Sequence, residues 1–278
     1  MELGKINTLV AARRTDFGFY LVDLEDNEVL LPNAYVSDEL KISDEIDVFI
    51  FKDSEDRITA TTITPKIQLE QFAYLQVKEV NKYGAFLDWG LPKDLMVPFA
   101  EQKLKLVEGN WCLVFLLEDE QTERLIGTCK VNEFVFYDKI ELKPGDEVDL
   151  LLYEHDELGM KAIVNNLYRG LIFESDIHKK IKPGEKIKGF VKQVREDGKL
   201  DIALEPIGYS NQIDKNAEII LDFLNKNKGF VNLTDKSEPE DIKHVLGLSK
   251  KAFKRGLGFL YKKKTIEILD DGIKLVQN

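Results

Sequence analysis

One pattern recurs three times in this chain and limits what it can fold into. Gly18-Phe19-Tyr20, Gly84-Ala85-Phe86 and Gly159-Met160-Lys161 align with one another. Twelve residues beyond Tyr20, Phe86 and Lys161 stand Pro32, Pro98 and Phe173, each closing a short apolar run. Eleven further on stand Ser43, Gly109 and Gly184, each ahead of a strand-like segment (45–50, 111–115 and 186–191). Each unit ends in a turn and a last strand, at 57–60, 124–127 and 199–204. The unit is about 65–75 residues long and predicts five short strands closing into a small barrel. Strand alternation turns Leu87 and Trp89 to one side and Phe86 and Asp88 to the other. Trp89 is therefore expected in the core, as is Phe19.

The last 65 or so residues break this pattern. Asp214 to Asn225 carries Ile219, Ile220, Phe223 and Leu224 on one stripe and predicts an amphipathic helix. Glu238 to Leu246 predicts a second, with Pro239 at its first position and Asp241 in its first turn. Ser249 is placed to cap a third helix, Lys250 to Lys263, whose apolar side is Phe253, Leu257, Leu260 and Tyr261. Thr265 to Val276 reads as a hairpin closed by Asp270-Asp271-Gly272. Three helices and a hairpin make a winged helix. The expected fold is thus mainly β with an α+β end: barrels over 1–65, 66–138 and a degenerate 139–208, then a winged helix over 209–278.

Charge restricts function. The net charge is −11, which excludes a uniformly basic nucleic-acid binder. The imbalance is uneven: from Asn211 onward 13 basic residues face 10 acidic ones, against 26 and 40 before it. The third helix and its end hold Lys250, Lys251, Lys254, Arg255, Lys262, Lys263 and Lys264, candidates for phosphate contact. Cys112 and Cys129 sit in apolar runs without metal-ligand spacing and are expected as buried, reduced thiols. His155, His178 and His244 fall in turn-like or polar helical contexts. Asp53-Ser54-Glu55-Asp56 and Glu118-Asp119-Glu120 read as solvated hairpin turns. There is no Gly-rich phosphate loop or nucleophile elbow, so no enzyme activity, cofactor, metal or small-molecule substrate is expected. The N-terminus has no apolar signal-like segment, and no run approaches the ~18 apolar residues of a membrane span. A cytoplasmic protein with no membrane partner is expected.

Val80-Asn81-Lys82-Tyr83-Gly84-Ala85-Phe86-Leu87-Asp88, then Leu95-Met96-Val97-Pro98 and Gly109, resemble the S1 RNA-binding domain, an oligonucleotide-binding barrel. The resemblance implies aromatics three apart around a glycine: Tyr83 and Phe86, matched by Phe17 and Tyr20 in the first repeat. A bulge at the glycine would bring such a pair to one face, where bases stack. It also implies a basic residue opening the last strand, here Arg57, Arg124 and Lys199, with Arg13, Arg14, Lys78 and Lys82 nearby. This sequence departs from that pattern in two ways. Pro32, Pro98 and Phe173 replace the usual histidine, and the third repeat has Leu158 and Lys161 in place of the rings, so no stacking is assigned to it.

Over its whole length the chain resembles the conserved virulence factor B family of bacterial S1-like proteins. Ile6-Asn7-Thr8-Leu9-Val10, Arg13 and Asp16-Phe17-Gly18-Phe19-Tyr20-Leu21 carry the resemblance, with 249–255 and 258–262. It implies RNA binding, single-stranded RNA favoured, and regulation of gene expression. Two other readings stay open: a DNA-binding regulator using the winged helix, and a scaffold for the ribosome, a nuclease or another protein.

Overall fold

The computed structural model describes residues 1–206, 215–269 and 271–276. The chain divides near residue 207 into two compact units.

The first unit holds the three repeats. Barrel 1 is β1 (Ile6–Thr15), β2 (Gly18–Val22), β3 (Glu28–Pro32), β4 (Glu45–Lys52) and β5 (Ile58–Thr61). Barrel 2 is β6 (Phe72–Val80), β7 (Gly84–Asp88), β8 (Leu95–Pro98), β9 (Trp111–Glu118) and β10 (Leu125–Thr128). Barrel 3 is β11 (Glu147–Asp156), β12 (Gly159–Val164), β13 (Tyr168–Phe173), β14 (Lys186–Val194) and β15 (Leu200–Ala203). Barrels 1 and 3 close through parallel pairing of their third and fifth strands, as at Leu30 with Thr59 and Gly170 with Leu200. Barrel 2 departs from full closure: its strands run β10-β9-β6-β7-β8 as an open sheet. Side chains fill that seam, because a Cβ on Gly127 of β10 would lie 2.9 Å from Val97 of β8.

The register repeats residue for residue. Gly18 pairs with Pro32, Gly84 with Pro98 and Gly159 with Phe173. The N–H groups of Ser43, Gly109 and Gly184 donate to the carbonyls of Ala11, Val77 and Leu152 at 2.8, 2.8 and 2.7 Å. All three donors have positive φ, 76°, 83° and 91°. Ser43 does so without glycine's freedom. Each returning carbonyl contact spans a bulge in the first strand, between Ala11 and Arg13, Val77 and Glu79, and Leu152 and Glu154.

Alternate residues fill the interiors. Phe19, Ala85 and Met160 occupy one equivalent buried position, and Trp89 is buried as expected. Apolar residues on outer faces join the barrels. Phe49 of β4 meets Trp89 edge-on at 5.8 Å, within the core cluster of barrel 2. Phe72, Leu113 and Phe115 pack with Leu151, Tyr153 and Ile163 of barrel 3. Each such side chain contributes on the order of 1.5–3 kcal/mol by leaving water.

The second unit is α1 (Lys215–Lys226), β16 (Phe230–Val231), α2 (Pro239–Leu246), α3 (Lys250–Lys262), β17 (Ile266–Ile268) and β18 (Ile273–Leu275). Its sheet runs β16-β18-β17. The two-residue β16 is too short to leave a periodic signal. Ser249 caps α3, its Oγ accepting the Ala252 N–H at 3.2 Å, and Pro239 stands at the start of α2. Ile220, Leu224, Phe253, Leu257 and Leu260 are buried. Ile219 and Tyr261, expected on apolar stripes, are instead 41% and 58% exposed. Gly256 does the packing where α3 crosses α1, because a Cβ there would lie 2.9 Å from the Ala217 nitrogen. Asp214 and Asp270 lie outside the described residues.

Candidate nucleic-acid interface

The repeated glycine is required by close approach, not by a bulge of its own strand. A Cβ on Gly18, Gly84 or Gly159 would stand 2.0, 2.4 or 2.0 Å from the carbonyl oxygen of Leu31, Val97 or Ile172. The bulge lies across the ladder, in β1, β6 and β11. The first aromatic of each pair therefore sits in the hairpin turn, and the second on the strand.

Phe17 is 77% exposed and Tyr83 61% exposed, while Tyr20 and Phe86 are half-buried. No ring stacking joins Phe17 to Tyr20 or Tyr83 to Phe86 among the described residues, so each ring is presented separately. The Arg13 guanidinium lies 3.6 Å from the centre of the Tyr20 ring, and the Lys82 ammonium 4.9 Å from that of Tyr83. Arg14 reaches the buried Phe19 ring at 5.5 Å. These cation–π contacts place positive charge beside the rings. Phe86 also lines a groove of about 310 Å³ with Met96, Lys93, Asp94, Arg124 and, from barrel 1, Phe51.

Carboxylates hold most cations near this face. Arg13 meets Glu28 at 2.9 Å and Lys78 meets Asp94 at 3.0 Å. Arg57, Arg124 and Lys199 each stand one residue before the last strand. Arg57 meets Asp53 and Glu55, both at 2.8 Å, and Lys199 meets Asp197 at 2.6 Å. Arg124 pairs with Asp56 of barrel 1, and its hydrogen bond holds that carboxyl below the usual aspartate range. Two further ties cross the same junction: the Lys93 ammonium donates to the Asp53 carbonyl at 3.0 Å, and that of Lys52 to the Glu123 carbonyl at 2.7 Å. The 53–56 segment is thus a solvated hairpin turn, as expected, that also serves as an inter-barrel joint. Sequence reasoning missed Lys52 and Lys93 because their role depends on how two barrels meet.

Barrel 3 has no ring at the equivalent positions. Lys161 stands opposite Glu154, as Phe86 stands opposite Glu79. Its ammonium meets Glu154 at 2.7 Å and Asp156 at 2.8 Å. The Asp156 hydrogen bond, then that from Glu154, raises the lysine's pKa.

In the second unit, Lys251, Lys254, Arg255, Gly258 and Lys262 are exposed along α3. At 100° per residue they form one stripe opposite Phe253, Gly256, Leu257 and Leu260. The helix carries no carboxylate. Lys250 is half-buried at its first turn, and Lys263 and Lys264 follow its end, the former 5.7 Å from the Phe259 ring.

Two other expectations need correction, those for the cysteines and for His155. Cys112 and Cys129 are free but half-buried, packed against the core of barrel 2. A thiol–thiol hydrogen bond raises the pKa of Cys112 and lowers that of Cys129. His155 lies on β11 rather than in a turn, its Nε2 2.7 Å from a Glu174 oxygen. Asp119 accepts from Thr122 Oγ1 within its own turn at 2.6 Å. Among the described residues no helix is long and apolar enough to cross a membrane.

Family models match the two ends of this architecture. Residues 218–275 match the CvfB-like winged helix domain, and residues 3–63 match an S1 domain. A crystal structure of a multidomain protein with nucleic-acid-binding domains from Streptococcus pneumoniae covers 99% of this chain and 98% of its own, at 24% identity and a TM-score of 0.41. Conserved virulence factor B of Staphylococcus epidermidis is 27% identical over 99% of this chain and 95% of its own. The Bacillus subtilis protein YitL is 31% identical over 94% of this chain and 90% of its own. With domains of nucleic-acid-binding type in this order, the chain belongs to the conserved virulence factor B family.

Proposed function

We propose that this protein binds single-stranded RNA in the cytoplasm and regulates gene expression after transcription, without catalysing a reaction. Bases stack on Phe17 and Tyr20 of barrel 1 and on Tyr83 and Phe86 of barrel 2. Arg13, Arg14, Lys78, Lys82, Arg57 and Arg124 lie along the strand's path. The exposed stripe of α3, with Lys250, Lys263 and Lys264 beside it, takes phosphates. One observation carries this reading: at the same register in barrels 1 and 2 an aromatic ring stands outside the core, while the residue before it on the strand, Phe19 or Ala85, is fully inside. Aromatic faces left in water suit unpaired bases, which a duplex does not offer.

The ion pairs set an expectation about salt. Exposed pairs such as Arg13–Glu28 are weak, so a phosphate can replace the carboxylate, but each exchange neutralises less net charge than a free lysine would. Binding should therefore depend on salt less steeply than the number of nearby cations implies.

The test is a titration of fluorescent RNA and DNA, as single strands and duplexes, at several salt concentrations. Single-stranded RNA should bind most tightly, and Tyr83→Ala with Phe86→Ala should weaken it about 10-fold or more while leaving duplex binding unchanged. Equal binding by parent and variant would remove the stacking site. A preference for duplex DNA, lost when Lys251, Lys254 and Arg255 are changed to Glu, would favour the DNA-regulator reading instead. No affinity for any strand, with a protein partner co-purifying, would favour a scaffold.

A further inference from the structure

A second ring pair stands on a different part of barrel 2. Tyr74 of β6 and Trp111 of β9 stack with centroids 5.8 Å apart and planes 18° from parallel. Trp111 is 50% exposed. Tyr74 is half-buried, and burial raises its pKa. The barrel fold does not need this indole. In the register that sets Trp111 opposite Gln76, barrel 1 has Glu45 opposite Val10 and barrel 3 has Lys186 opposite Leu151. The far side of the pair is bounded by Gly184 of barrel 3, where an added Cβ would lie 3.1 Å from the Tyr74 ring.

The charge around this pair differs from that on the first face. Lys103 and Lys105 lie exposed in the connection that leads into Trp111. Lys179, Lys180 and Lys182 lie exposed in the connection that leads to Gly184 and β14. Arg13, Arg57, Lys78 and Arg124 are all held by carboxylates, whereas none of these five lysines is in an ion pair among the described residues. The acidic neighbours are Glu101, Glu108, Glu174, Asp176 and Glu185 in the same connections and Glu154; Glu101 is tied to Lys130, Asp176 to Lys192 and Glu154 to Lys161, and Glu174 lies 2.7 Å from His155. Among the described residues, five lysines outside any ion pair thus stand against two such acids, Glu108 and Glu185, on a chain of net charge −11.

We infer that Tyr74 and Trp111, with the lysines of the 103–105 and 179–182 connections, form a second base-stacking shelf that carries a long single-stranded RNA from barrel 2 onto barrel 3. An indole already stacked on one side offers a large rigid face to a base at little entropic cost. Lysines without carboxylate partners meet phosphates without first losing an ion pair. This gives barrel 3 a share of the strand although its own ring positions hold Leu158 and Lys161. The inference rests on the single-strand reading above.

The test uses the full chain and labelled oligouridylates of about 6 and about 24 nucleotides, one that a single barrel can hold and one longer than a single barrel's site. Trp111→Ala should weaken the long strand about 5-fold or more and the short strand less. Changing Lys179, Lys180 and Lys182 together to Gln should reduce the salt slope by about 2. Long-strand binding should also quench the indole emission of the parent but not that of Trp111→Phe, which retains only the buried Trp89. Long-strand affinity within about twofold of the parent in both variants would overturn the shelf. So would loss of a co-purifying protein with RNA affinity intact. If Tyr83→Ala with Phe86→Ala abolishes binding while Trp111→Ala does not, the shelf fails and the first reading stands. The reverse result supports the shelf and removes the first platform, and a parent that binds no strand removes both.

Discussion

Barrels 2 and 3 differ in closure but share the register of their first two strands, and place different residues on it. In both, a glycine opens the second strand beneath a carbonyl, and a bulge in the first strand sets Glu79 opposite Phe86 and Glu154 opposite Lys161. In barrel 2 the position opposite the glutamate holds a ring at the mouth of a groove. In barrel 3 the same position holds an ammonium engaged by two carboxylates. The glycine and bulge therefore fix where the position is, and the residue placed there fixes whether it presents a ring to a groove or closes an internal ion pair. Barrel 1 lies between the two: Tyr20 keeps the ring, but Arg13 and Glu28 occupy the space beside it.

The strongest way to break this comparison is to attack what the barrels share. Gly84→Ala and Gly159→Ala each force a Cβ to within 2.4 and 2.0 Å of a carbonyl oxygen. Each should cost about 3 kcal/mol or more, since backbone cannot give way as a side-chain tip can. Amide exchange should show protection lost first in the barrel that carries the change. If Gly159→Ala leaves barrel 3 fully protected, the shared-backbone argument fails. Next comes what the barrels do not share. Phe86→Ala should lower affinity for single-stranded RNA about 10-fold, and Lys161→Ala should leave it within about twofold. A smaller effect sharpens the contrast: Leu158→Tyr with Lys161→Phe installs rings on barrel 3 and should raise long-strand affinity about 5-fold.

The repeat was legible in the sequence because close approach admits only glycine and because period-two alternation sorts Phe19 and Trp89 inward. Ser249 and Pro239 marked helix starts through local chemistry. What escaped was set by neighbours rather than by local pattern. Arg124 reads as a phosphate contact until the 53–56 turn of another barrel is brought beside it. Trp111 looks like one more apolar residue opening a strand, and only the β6–β9 register, which sets it diagonally across from Tyr74, makes it part of a pair. The bulge was expected at the glycine but lies on the strand opposite, because spacing along one strand does not report which partner carries the extra residue. Tyr261 fits the period of an apolar stripe yet faces water, since the stripe is closed by Gly256 and Leu260 against α1 and the sheet.

The smallest expected effect follows from acid. The Lys161 hydrogen bond holds the Asp156 carboxyl below the ordinary value of 3.8. A carboxyl whose pKa is lowered by folding stabilises the folded chain above the unfolded value, and that stabilisation is lost as pH falls through the folded one. Parent and Asp156→Asn should therefore differ in melting temperature at neutral pH, by a small margin because the pair is partly exposed. The difference should close only below pH 3.8. Barrel 2 has Asn81 at the position of Asp156 and should show no such acid step there. A gap that persists unchanged to lower pH would mean that the substitution acts through something other than the carboxylate's charge, since an asparagine can still accept the Leu158 N–H as Asn81 accepts that of Tyr83. In that case the ion pair would not be what barrel 3 gained in exchange for the ring.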